Sequence, residues 1–207
     1  MTARSKIVIY GDPIQYGTYG LWVLTMAGLS NVSILDGGKT KWIAEGRSLS
    51  TLIPQYEPSD PIESRTDLST RIGRDDVLKG LRDPKRILVD ARSPEEYLGE
   101  RVSPPGGFDH GAERVGRIPG AQPLFFRDLL NEDDTFISPE KILEKIRPLG
   151  IKDGVSNDVV TYCRLSHRAT LLWFALTHIL NMPNVKVYDG SWTEWGSIVG
   201  FPVEKNS

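Results

Sequence analysis

Val159-Val160-Thr161-Tyr162-Cys163-Arg164-Leu165-Ser166-His167-Arg168-Ala169 contains the chain's single cysteine. An apolar run, 159–162, has the composition of a buried parallel strand and ends directly in the thiol. A short loop with two arginines follows, and then a strongly apolar helix over 169–180. Strand, tight loop and helix N-terminus make an anion cradle. Unpaired backbone N–H groups and the positive helix end face the carboxyl edge of the sheet. A cysteine at the base of such a cradle is favoured as the thiolate, so Cys163 is read as a nucleophile. Arg164 and Arg168 are expected to hold an anionic substrate by charge-assisted hydrogen bonds, and Ser166 and His167 to offer backbone N–H groups.

Spacing narrows the chemistry. Cys163 and Arg168 are separated by four residues, whereas the phosphatase cradle needs five and would put arginine where this chain has Ala169. One residue fewer shortens the loop by up to roughly 3.5 Å of contour. The smaller ring of amides suits a sulfur atom on Cys163 better than a phosphate group, and no acid on a mobile loop is marked. A thiolate beside two arginines suits attack on a sulfur-containing anion, with release of the oxyanion and transfer of the sulfur to a second nucleophile.

The rest of the 207 residues is α/β. Net charge is −2, which gives no electrostatic case for nucleic acid or an anionic membrane. No apolar run approaches the roughly 18 residues of a membrane span, and Met1-Thr2-Ala3-Arg4-Ser5 leads into a strand rather than a signal sequence. A lone cysteine fits a reducing, cytoplasmic setting. His110, His167 and His178 lack metal-ligand spacing, so neither metal nor cofactor is expected. Strands are read at 6–10, 32–36, 87–91 and 185–189, alternating with helices, which predicts a parallel sheet flanked by helices. Ser93-Pro94-Glu95-Glu96 and Ser191-Trp192-Thr193-Glu194 read as capping boxes, Ser138-Pro139 opens a helix that stops at Gly150, and 103–116 is a long surface loop. Asp90 and Arg92 read as a structural ion pair, and Trp22, Trp173, Trp192 and Trp195 as packing.

An internal repeat organises the chain. Ile7-Val8-Ile9-Tyr10-Gly11 matches Val159-Val160-Thr161-Tyr162-Cys163. Leu21-Trp22 matches Leu172-Trp173, and Asn31 to Gly37 matches Asn184 to Gly190. The second copy has a front half, about 67–150; the first has none. The expected layout is a partial copy over 1–48, inactive because Gly11 stands at the cysteine position, a Pro-rich linker over 49–61, and a complete catalytic unit over 62–207. Sheet edges left by the partial copy favour association into a homo-oligomer.

Four stretches then match one family in its order: Asp90-Ala91-Arg92-Ser93-Pro94-Glu95-Glu96-Tyr97, Gly116-Arg117-Ile118-Pro119-Gly120-Ala121, the C-R-x-x-x-R loop, and Tyr188-Asp189-Gly190-Ser191-Trp192-Thr193-Glu194-Trp195-Gly196. Over nearly its whole length the chain resembles the two-domain rhodaneses, or thiosulfate sulfurtransferases. The resemblance implies a rhodanese-like fold, an inactive first domain, a Cys163 persulfide, and thiosulfate as donor with cyanide or a thiol as acceptor. Arginine at 164 resembles the thiosulfate branch; the 3-mercaptopyruvate branch usually has glycine there. The alternatives are a 3-mercaptopyruvate sulfurtransferase, or a non-catalytic sulfur carrier or remnant. Asp189 and Arg117 are further candidates to line the cleft. Ser166 replaces the family's usual glycine, where the loop is expected to need a positive φ.

Overall fold

The computed structural model describes residues 5–58, 65–152 and 158–205. The first segment folds as strand β1 (Ile7–Ile9), helix α1 (Ile14–Met26), strand β2 (Val32–Ile34) and helix α2 (Gly38–Ala44). Its two strands pair in parallel, Ile7 beside Val32. Residues 49–58 carry no helix or strand, while 59–61 and 62, where the catalytic unit is expected to start, lie outside the described residues.

The remainder builds a five-stranded sheet from β3 (Arg71–Ile72), β4 (Arg86–Asp90), β5 (Gln122–Pro123), β6 (Asp158–Tyr162) and β7 (Val185–Tyr188). The order is β3-β7-β6-β4-β5, and every pairing is parallel. Helices α3 (Arg74–Lys79), α4 (Pro94–Leu98), α5 (Pro139–Ile146), α6 (His167–Phe174) and α7 (Ser191–Trp195) connect the strands. Successive strand side chains point to opposite faces. Val89 and Val159 therefore join the core with Trp22, Ile142 and Trp173, while Leu88 and Val160 join Val77, Trp192 and Trp195 on the other face. Both faces are covered, which is why these strands are nearly continuous apolar runs.

Two elements differ from the sequence reading. The helix expected over 169–180 begins at His167 and widens into a π turn at Ala175–Ile179. Thr177 donates to the Trp173 carbonyl within that turn, a back-bond that bends helices. The box at Ser93 forms as expected, but Ser191 caps nothing; the N-cap of α7 is Gly190. Ser191 instead turns its hydroxyl toward Cys163.

The first segment packs on the sheet through α1 against α6, where the hydroxyls of Thr18 and Thr170, both fully buried, lie 3.0 Å apart. Gly11, at the repeat position of Cys163, has no room for a side chain. A Cβ there would sit 2.7 Å from the carbonyl oxygens of Pro13 and Ile14 and 2.8 Å from the Gly17 nitrogen. The first copy's loop is closed on itself.

Candidate active site

Cys163 follows the last residue of β6, a strand flanked on both sides, and it is 1% exposed at the floor of the loop. This is the carboxyl edge of the sheet, where open α/β folds place ligands. The loop is fixed from outside by α7. Ser191 Oγ accepts from the Cys163 N–H at 3.1 Å and donates to the Tyr188 carbonyl at 2.9 Å. The Trp192 and Thr193 N–H groups donate to the carbonyls of Cys163 and Arg164 at 2.9 and 3.2 Å. With its carbonyls tied back, the loop leaves the N–H groups of Arg164, Leu165 and Ser166 without an acceptor among the described residues.

Ser166 is the turning point, at φ 72° and ψ −32°. The positive φ expected for a glycine position is therefore present. The His167 N–H closes on the Leu165 carbonyl at 3.0 Å, a γ-turn, which is rare and strained for a non-glycine residue. This corrects one expectation: the His167 N–H is consumed in the turn and is not free for a substrate anion. Ser166 is held there by its hydroxyl, 2.5 Å from the Asp189 carbonyl and 2.7 Å from Asp189 Oδ1.

Arg168 is also corrected. Its guanidinium forms a two-pronged pair with Glu96, Nη1 to Oε2 at 2.6 Å and Nη2 to Oε1 at 2.9 Å, with Glu96 fully buried. A buried cation needs a fixed partner, so Arg168 is committed to Glu96 rather than turned outward to a substrate. It nonetheless lies close enough for its charge and that of Cys163 to interact. Glu96 serves twice, since its Oε2 also accepts from the Ser93 N–H at 3.2 Å. The cap of α4 and the start of α6 are thus one network.

Arg117 likewise does not face the Cys163 loop. It stacks on Tyr97, 4.5 Å from the ring centre, donates to the Tyr97 carbonyl and pairs with Glu204. Asp189 does line a cleft beside the loop, about 480 Å³, with Tyr19, Leu165, Ser166, His167 and Thr193. Arg71 neutralises its other oxygen at 3.1 Å. The His167 ring stands in that cleft against Tyr16 and Tyr19, with centroids at 4.9 and 4.6 Å. Burial, aided by Arg168 and opposed by Asp189, pushes the imidazole below its ordinary range, so His167 is neutral at pH 7 and adds no charge. A larger hollow, about 740 Å³ around Tyr10, Lys39 and Trp42, belongs to the first segment and has no cysteine in its lining.

Arg164, next to Cys163 in the loop, extends its side chain to the 103–116 loop. Its Nη2 lies 3.1 Å from His110 Nε2. Asp90 and Arg92 form the expected buried pair at 2.7 Å, and Arg92 stacks over Trp192 at 4.6 Å. Sequence reasoning missed three residues here, Glu96, Ser191 and His110. The first two were legible only as helix caps, and His110 was weighed only as a metal ligand.

A family model described as a rhodanese-like domain matches residues 73–198, more than half of the chain and all of the loop just described. The chain belongs to the rhodanese family. Relatives agree over most of this rhodanese's length. A protein of Thermus thermophilus named "Sulfur carrier protein TtuD" is 42% identical over 97% of this chain and 71% of its own. One from Haloferax volcanii named "Putative thiosulfate sulfurtransferase" is 38% identical over 98% of this chain and 70% of its own. A Mycobacterium bovis protein named "Putative thiosulfate sulfurtransferase SseA" is 39% identical over 95% of this chain, which spans 65% of it. Among solved structures, an anaerobic ergothioneine biosynthesis enzyme from Chlorobium limicola superposes with a TM-score of 0.85 at 23% identity, and the chain spans 52% of it. That likeness shows a shared fold. The chain is a rhodanese-type sulfurtransferase, and no described helix is long and apolar enough to cross a membrane.

Proposed function

We propose that the protein takes the sulfane sulfur of thiosulfate onto Cys163 and passes it to cyanide or a thiol. The observation that carries this reading is the loop itself: a buried cysteine followed by three N–H groups that have no acceptor among the described residues. The Cys163 thiolate attacks the outer sulfur of thiosulfate, the S–S bond of the donor breaks, and sulfite leaves with the bonding electrons. The resulting persulfide anion is stabilised by the loop amides and by the nearby charge of Arg168, as an oxyanion hole stabilises oxygen. An acceptor nucleophile then takes the outer sulfur and regenerates the thiolate. Arg164 at the mouth receives the sulfonate end of the donor. The unit from 62 to 207 is the catalytic one. The segment 1–48, with Gly11 in place of a nucleophile, supplies a wall of the cleft through Tyr16 and Tyr19.

A second reading, a carrier that hands sulfur to another protein, is favoured by the name of the Thermus relative. Intact mass separates the possibilities. Incubation with thiosulfate is expected to add one sulfur atom, absent in Cys163→Ser and removed by cyanide; 3-mercaptopyruvate serves as the rival donor. Loading without multiple turnover on small acceptors would favour the carrier, and no sulfur gain from either donor would end both readings.

A further inference from the structure

The surface loop at 103–116 is tied down at both ends. Arg101 ties its near end, donating to the carbonyls of Ser103 and Gly107, and Asp109 Oδ1 accepts from the Val102 and Ser103 N–H groups, both at 2.9 Å. Arg114 ties its far end, its guanidinium donating to the carbonyls of Trp195, Gly196, Ile198 and Phe201. Between these anchors stand His110 and Gly111, against Arg164.

The hydrogen bonds of His110 select one form of the ring. Nδ1 lies 2.9 Å from the Phe108 carbonyl, which can only accept, so Nδ1 carries the proton. Nε2 is then the lone-pair nitrogen, and it faces Arg164 Nη2, which can only donate. Both neighbours demand the same neutral tautomer. Gly111, at φ 116°, makes the approach possible: a Cβ there would lie 2.7 Å from Arg164 Nε. Among the described residues the buried Arg164 Nε has no hydrogen-bond partner, and neither has Nη1.

We infer that His110 is a positioning residue for sulfur-donor binding: it holds the Arg164 guanidinium over Gly111 at the mouth of the Cys163 loop and leaves the Nη1 edge for the donor's oxyanion. An arginine side chain is long and loses much rotamer freedom on binding, so an acceptor that fixes it beforehand lowers the cost of capturing the anion. This rests on the proposal that Arg164 receives a sulfonate, and the tests separate the two.

In persulfide formation from thiosulfate, His110→Ala is expected to raise KM roughly three- to tenfold while kcat stays within about twofold. His110→Gln, which keeps an acceptor at similar reach, restores most of the loss. In an Arg164→Ala background His110→Ala adds nothing further. An unchanged KM in His110→Ala, a His110→Gln as impaired as the alanine variant, or a penalty that persists without Arg164 would each overturn the inference. Should the wild type gain no sulfur from thiosulfate, the proposed function fails, yet imidazole nitrogen resonances still decide the contact. The expected spectrum has a protonated Nδ1 and an unprotonated Nε2 that shifts in Arg164→Ala; no shift would refute the contact itself.

Discussion

Ser166 holds the conformation of the cysteine loop against its own backbone preference. At φ 72° it forms the γ-turn that ends the loop, and its hydroxyl is held by Asp189. Two effects therefore oppose one another: strain at a positive φ and hydrogen bonds that secure it. Replacing Ser166 by alanine or by glycine removes the hydroxyl in both cases, but only glycine relieves the backbone. Ser166→Gly is expected to be more stable than Ser166→Ala by about 1 kcal/mol, read from urea midpoints at unchanged m-value. Equal midpoints would mean that the turn is not strained.

At the scale of elements, the decisive joint is between α4 and α6. The cap of one helix ends on Glu96, and the first turn of the other carries Arg168. A cation there opposes the helix dipole, and the paired carboxylate offsets it. Removing Glu96 leaves a guanidinium that is only 8% exposed without a counter-charge. Glu96→Ala is expected to cost about 3–5 kcal/mol in chemical denaturation, and in whatever fraction remains folded to slow sulfur loading on Cys163. A loss below about 1 kcal/mol would show that water replaces the carboxylate.

In the whole molecule, the first segment and the five-stranded sheet meet helix to helix at Thr18 and Thr170. Each hydroxyl also reaches its own helix, Thr18 the Gln15 carbonyl at 2.9 Å and Thr170 the His167 carbonyl at 2.8 Å. Two protons serve three contacts, so the hydroxyl–hydroxyl contact competes with the two carbonyls and couples the pair. Thr18→Val and Thr170→Val are each expected to cost about 1 kcal/mol, with the double variant costing less than their sum by about 0.5–1.5 kcal/mol. Strict additivity would reduce the joint to apolar packing. The same contact carries Tyr16 and Tyr19 to His167, so α1 is part of the cleft. The sheet of the first segment leaves Val8 and Tyr10 55% and 64% exposed, whereas the strands beneath Cys163 are covered on both faces.

Read along the chain alone, the α/β class, the strand ending in Cys163, the match of Gly11 to it, the cap at Ser93 and the core tryptophans were already legible. Each is a local pattern: an apolar run, a spacing, a turn residue. Even the positive φ at Ser166 was legible, because a glycine position in a tight loop states a backbone requirement. Only the tertiary structure decided where the charges point. Arg168, Arg117 and Arg164 look alike in the chain, but one is bound by Glu96, one by Tyr97 and Glu204, and one stands beside His110. Those partners lie 72, 20 and 87, and 54 residues away. A long cation's direction is set by the nearest acceptor, and which acceptor is nearest emerges only when the sheet order brings β4, β6 and β7 side by side.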